Sequence, residues 1–67
     1  NDILNIKFPN DLERSIMLCD LDGKLISQYQ TGSNHIEINV RELSSGMYIL
    51  NITDDNGSTI SRKIVVH

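Results

Sequence analysis

The sequence predicts an all-β domain of antiparallel strands packed as two sheets. Three observations carry that prediction. Apolar residues recur two apart in six separate stretches, the period of a strand with one buried face. Turn signals separate the stretches, with Asp22-Gly23 and Asn56-Gly57 the strongest. No stretch carries the helical period. At 67 residues the chain is one domain. A chain this short buries only about 60 % of its unfolded surface, so its stability should be marginal. The apolar fraction of 39 % and aromatic fraction of 4 % leave a lean core, built of strand-favouring Ile, Leu and Val.

Charge removes several function classes. Six basic against nine acidic residues give a net charge of −3, and no basic face is available for a nucleic-acid backbone. No apolar run approaches the ~20 residues of a membrane-spanning helix. The N-terminus has no apolar signal segment, and Asn1 is not a natural start. The expectation is a piece excised from the end of a longer secreted chain, with any export signal upstream. Cys19 stands alone and makes no internal disulfide.

Asn1-Asp2 reads as the tail of a loop. Ile3 to Phe8 is the first strand, with Leu4, Ile6 and Phe8 on one face. Pro9-Asn10-Asp11 is a turn, and Leu12-Glu13-Arg14 a polar connection. Ser15 to Leu21 is the second strand, with Ile16 and Leu18 on one face and Met17 and Cys19 on the other. Asp22-Gly23 closes a two-residue hairpin. Lys24 to Gln30 returns with Leu25 and Tyr29 toward the core and Ile26 away from it. Thr31 to Asn34 is a loop. His35 to Arg41 alternates most cleanly, with Ile36, Ile38 and Val40 facing inward. Leu43-Ser44-Ser45-Gly46 then feeds the central strand, where Tyr48, Leu50 and Ile52 share the core face. Gly46 marks a position where a Cβ is expected to clash. Asp54 to Gly57 forms the second hairpin, and Thr59 to Val66 is the last strand.

Candidate chemistry is sparse. Asp20, Asp22 and Gly23 resemble the start of a calcium loop, but the twelfth position, where a Glu is required, is Thr31. Asp54, Asp55 and Asn56 are more simply turn formers. A carboxylate pair drawn from the two turns, as in a glycosidase, would lack a cleft. His35 and His67 have no metal-ligand spacing around them. Cys19 with a histidine is formally a nucleophile and base, but a thiol inside an apolar strand packs as a small hydrophobe. Tyr48 reads as a core aromatic with its hydroxyl at the rim. Lys63-Ile64-Val65-Val66-His67 leaves two readings open. It is either a last strand buried on both faces, or an edge that a partner reads by strand pairing.

The ordered set of motifs is more specific than any member. Asp20-Leu21-Asp22-Gly23-Lys24, then an Ile-x-Ile-x-Val strand, then Leu43-x-x-Gly46-x-Tyr48, then Lys63-Ile64-Val65-Val66 resembles the type A C-terminal sorting domain (CTD) of the type IX, or Por, secretion system of Bacteroidetes bacteria. The likeness spans residues 1–67. Some members carry proline where this chain has Ser44. Members usually show a Pro-Asn-Pro segment before the first strand, and Asn1 to Ile6 resembles the stretch just after that segment, so a seventh short strand and a processing site are expected upstream. The resemblance implies an Ig-like antiparallel β-sandwich of six to seven strands, without catalysis or cofactor. It implies cargo fused on the N-terminal side and export through the periplasm and outer membrane to the cell surface or medium. It implies recognition by the outer-membrane translocon and a shuttle protein, and removal by a sortase-type cysteine protease. Gly46, Tyr48, Lys63, Ile64, Val65, Val66 and His67 are the expected recognition residues. Asp20, Leu21, Gly23, Lys24 and Leu43 are expected to serve the fold. A homodimer through the last strand's edge is also expected. The alternative is an Ig-like accessory or carbohydrate-binding module of an extracellular enzyme. The absence of Trp and the core-side placement of Phe8, Tyr29 and Tyr48 weaken it.

Overall fold

The computed structural model describes residues 3–67, and six strands form among them. They are β1 (Ile3–Lys7), β2 (Arg14–Asp20), β3 (Leu25–Thr31), β4 (His35–Asn39), β5 (Gly46–Asp54) and β6 (Thr59–Val66). The expected loop at Asn1-Asp2 lies outside the described residues. All pairings are antiparallel: β3-β2-β5-β6 make one sheet and β1-β4 the other. β5 is central because it is flanked on both sides, by β2 and by β6.

The inward faces meet as the period-two pattern predicts. Ile16 lies opposite Ile52, and Leu18 opposite Leu50, so two aliphatic pairs stack on adjoining strands. With Tyr48 and Val66 they pack against Ile38 and Val40 across the sandwich. Leu4, Ile6, Phe8, Tyr29, Ile36, Leu43 and Ile64 close around this cluster and are only partly buried. Ile16 has no exposed surface, so truncating it to alanine is expected to cost about 2–5 kcal/mol.

Both hairpins are closed by one device. The Asp20 carboxylate accepts the backbone N–H groups of Asp22 and Lys24, each at 2.9 Å. The Asp54 carboxylate accepts those of Asn56 at 2.9 Å and Ser58 at 3.0 Å. The backbones match too: Gly23 N–H donates to Asp20 and Gly57 N–H to Asp54, each at 3.1 Å. Gly23 and Gly57 have φ of 87° and 86°. These are three-residue loops, a turn followed by a left-handed glycine. The expected two-residue turns on Asp22-Gly23 and Asn56-Gly57 are therefore corrected: the loop begins one residue earlier because the aspartate side chain organises it.

Two other expectations change. A bulge skips Ile26, so that Leu18 opposes Ser27 while Cys19 opposes Leu25. Leu25 is thereby turned to the outward face and exposed, whereas Tyr29 stays on the core side. Arg14, read as part of a connection, opens β2 and is buried. Its guanidinium donates to the carbonyls of Asn10 and Leu12 at 3.1 Å and to Asn10 Oδ1 at 2.6 Å. It also lies 4.1 Å above the centre of the Phe8 ring. The arginine thus ties the turn after β1 to the start of β2, and no sequence period reports such a contact.

Candidate functional site

Gly46 and Val66 are register partners at one end of the β5–β6 ladder. This pairing brings the Leu43–Tyr48 turn and the chain's last strand together. Leu43 N–H donates to the Val40 carbonyl at 3.1 Å, which bends the chain out of β4. Tyr48 is buried, and its hydroxyl donates to the Ser44 carbonyl at 2.6 Å. The hydroxyl therefore sits at the rim as expected, and it staples the turn to β5. A Cβ on Gly46 would meet nothing within 4 Å, so the expected clash is absent. What requires glycine is a φ of 152°, a conformation that L residues rarely adopt.

β6 alternates across the sheet. Val66 is buried and Ile64 partly so, opposite Gly46 and Tyr48 respectively. Val65 is 56 % exposed on the outward face beside Met47, and Lys63 is exposed on the same face opposite Ile49. His67 comes next, also exposed. The strand is thus not buried on both faces, and among the described residues the edge of β6 away from β5 has no strand paired to it. The residues expected to serve recognition divide accordingly. Gly46, Tyr48, Ile64 and Val66 build the fold at this end, whereas Lys63, Val65 and His67 are presented to solvent.

Asp20, Leu21, Gly23 and Lys24 lie at the same end of the sheet, since Asp20 pairs with Tyr48. Asp20 and Gly23 make the turn, Lys24 supplies a backbone N–H to it, and the Leu21 side chain is exposed. The carboxylate of Asp20, the first residue of the calcium-like stretch, is thereby occupied in capping backbone. Among the described residues no three His, Cys, Asp or Glu side chains gather as a metal set. Cys19 is a buried free thiol, and His35 Nε2 lies 3.3 Å from Asn5 Oδ1. Phe8 is covered by Arg14 and Tyr48 is buried, so neither offers a face for a sugar ring to stack on.

A family model described as "Secretion system C-terminal sorting domain" matches residues 1–67, the whole chain. The chain belongs to this family of type IX sorting domains. No curated protein and no solved structure matches it at a significant level. Membership gives the geometry a purpose, since a sorting domain is recognised by secretion machinery and needs a stable, readable surface rather than a catalytic cleft. In this sorting domain, sequence reading missed the role of Arg14 and the openness of the sandwich beside β6. A signal for the second was present: Arg62 stands in the inward row of Ile60, Ile64 and Val66, where a sealed core would not place a charge.

Proposed function

We propose that this domain is the export label at the C-terminal end of a cargo protein. The type IX translocon and its shuttle protein read the exposed end of β6, Lys63 to His67, beside the Gly46–Tyr48 turn. A sortase-type cysteine protease on the cell surface then removes the label, and the cargo is released or joined to an anionic lipopolysaccharide. Asp20, Leu21, Gly23, Lys24 and Leu43 serve by holding the two turns that frame this end of the sheet. The observation that carries the reading is the family match over the whole chain. The placement of Lys63, Val65 and His67 on the surface of the last strand supports it.

The test is a pair of variants in a bacterium with an active type IX system, each on cargo carrying this domain. Deleting residues 63–67 removes buried Val66 as well as the exposed residues, so on its own it mixes folding with recognition. Val65→Asp changes a residue that is 56 % exposed and leaves the core alone. Both variants are expected to hold cargo in the periplasm, while Val65→Asp leaves the melting temperature of the domain unchanged. Export at the wild-type level from both would count against the proposed reading of β6. Full-length cargo that is never relocated by the domain would favour an accessory module.

A further inference from the structure

Four strands, β1, β3, β4 and β6, have an edge that no other described strand pairs with. Such an edge carries unpaired N–H and C=O groups and invites a further strand unless charge, proline or irregularity discourages it. Full-length antiparallel self-pairing of β6 would set Arg62 opposite Lys63 of a second copy, and the same pairing of β4 would set Glu37 opposite its own counterpart. Like charges directly opposite one another are destabilising. The edge of β1 looks toward β6 rather than outward: Ile3 and Leu4 share a recess with Val66 at one end, and Ile6 and Lys7 share another with Ile60 and Arg62 at the other. β3 stands apart. Leu25 to Thr31 contains no charged residue and no proline, so no register of self-pairing opposes like charges. Its irregularity, the bulge at Ile26, lies at one end, and Ser27 to Thr31 pairs with β2 without a break.

We propose that the free edge of β3 joins a second copy of this chain, antiparallel about a two-fold axis at Tyr29, so that two four-stranded sheets become one sheet of eight strands. The position of the axis follows from the regular stretch. Placed at Tyr29, it pairs all five residues from Ser27 to Thr31 and leaves the bulge outside; placed at Gln28, it would pair only three regular residues. With the axis at Tyr29, that side chain faces its own counterpart on the core side, and Ser27 faces Thr31 beside it. On the outer side Gln28 faces Gln30 twice, once on each side of the axis. Facing side chains therefore match in kind. Tyr29 is only partly buried against its own core, so the aromatic pair covers surface that a single copy leaves open. Gln28 and Gln30 are exposed, and the Gln30 amide reaches Ser15 Oγ at 3.5 Å. Each amide holds both donors and an acceptor, so the facing glutamines can bond to one another. Association closes at two copies, because the axis consumes the β3 edge of both and the remaining edges refuse self-pairing by charge or by position. This contact differs from the homodimer expected through β6, and it does not rest on the export reading.

The test is sedimentation equilibrium and ¹⁵N NMR of the 67-residue chain over a concentration series, with two variants. The wild-type chain is expected to double its mass between micromolar and millimolar concentration, the weak range that suits a contact of one strand pair. The accompanying amide shifts are expected to centre on residues 27–31. Gln28→Lys with Gln30→Lys sets two like-charged pairs across the axis and is expected to weaken the dimer about tenfold. Gln28→Lys with Gln30→Glu sets opposite charges across the same axis and is expected to dimerise at least as tightly as wild type. Both positions are exposed, so the melting temperature of the dilute chain should not move in either variant. The opposite-charge variant keeps the test decisive if the like-charged one fails to fold. A chain that stays monomeric at millimolar concentration, shifts centred on β1 or β6, a dimer that the like-charged variant leaves intact, or growth into open-ended filaments would overturn the proposal.

Discussion

Replacing Asp20 and Asp54, singly and together, tests whether the two hairpins are the same device. Each carboxylate accepts two backbone N–H groups at 2.9–3.0 Å. A hydrogen bond to a charged group contributes about 1.5–3 kcal/mol when its removal leaves a buried partner. These turns are exposed, so water replaces much of what alanine removes, and about 1–2 kcal/mol per site is expected for the pair of bonds. In a domain of this size 1 kcal/mol moves the melting temperature by roughly 4–8 °C, so either alanine variant should melt about 5–15 °C lower. Asparagine retains an acceptor oxygen and should cost less than half as much. The two aspartates sit at opposite ends of the β2–β5 ladder, since Asp20 opposes Tyr48 and Arg14 opposes Asp54. Seven strand residues separate them by about 20 Å, so the double variant should be additive within about 0.5 kcal/mol. The assay is urea denaturation with a shared slope, read as midpoint shifts. An alanine variant with an unchanged midpoint, or an asparagine variant as costly as alanine, would refute the assignment of the carboxylates as turn caps. Coupling above about 1 kcal/mol would refute their independence.

Other consequences are as direct. At Gly46 the open space and the φ of 152° predict that L-alanine destabilises by about 1–3 kcal/mol, whereas D-alanine, introduced by chemical synthesis, is at least as stable as glycine in thermal melts. Tyr48→Phe should cost about 0.5–1.5 kcal/mol by removing the bond to the Ser44 carbonyl, read by denaturant titration. Arg14→Lys should cost about 1–3 kcal/mol, because an ammonium cannot keep both the planar contact with Phe8 and the bonds to Asn10 and Leu12. Faster amide exchange confined at first to residues 8–14 would mark the loosened turn; exchange unchanged there would count against the role given to Arg14.

Strand identity was legible in the sequence wherever one face is buried. His35 to Val40 and Tyr48 to Ile52 alternate because water lies on one side of each strand, and burial tracks that alternation. The centrality of β5 was legible for the same reason: an aromatic and two branched aliphatics in one row need neighbours on both sides. Leu25 was misplaced because a bulge at Ile26 is a backbone event, and a period-two reading carries its error through every later residue. The turn at Asp22-Gly23 was located but mistyped, since the dipeptide rule gives no weight to a carboxylate two residues upstream. Arg14 escaped notice because its partners are carbonyls and a ring, which leave no complementary charge in the sequence. At the candidate site the alternation of Lys63 and Val65 against Ile64 and Val66 was readable. The unsealed side between β1 and β6 depends on how far the two-stranded sheet reaches across the four-stranded one, which no local pattern encodes. Arg62 in the inward row was its one trace.

The central claim is that this domain by itself directs attached cargo out of the cell. The most direct measurement is the location and size of an inert reporter carrying the domain and the dozen or so residues upstream of it, expressed in a bacterium with an active type IX system. Reporter in the medium or on the surface, shortened by the mass of the domain, is the predicted result. Full-length reporter held in the periplasm, while native cargo of the same cells is exported, would contradict it.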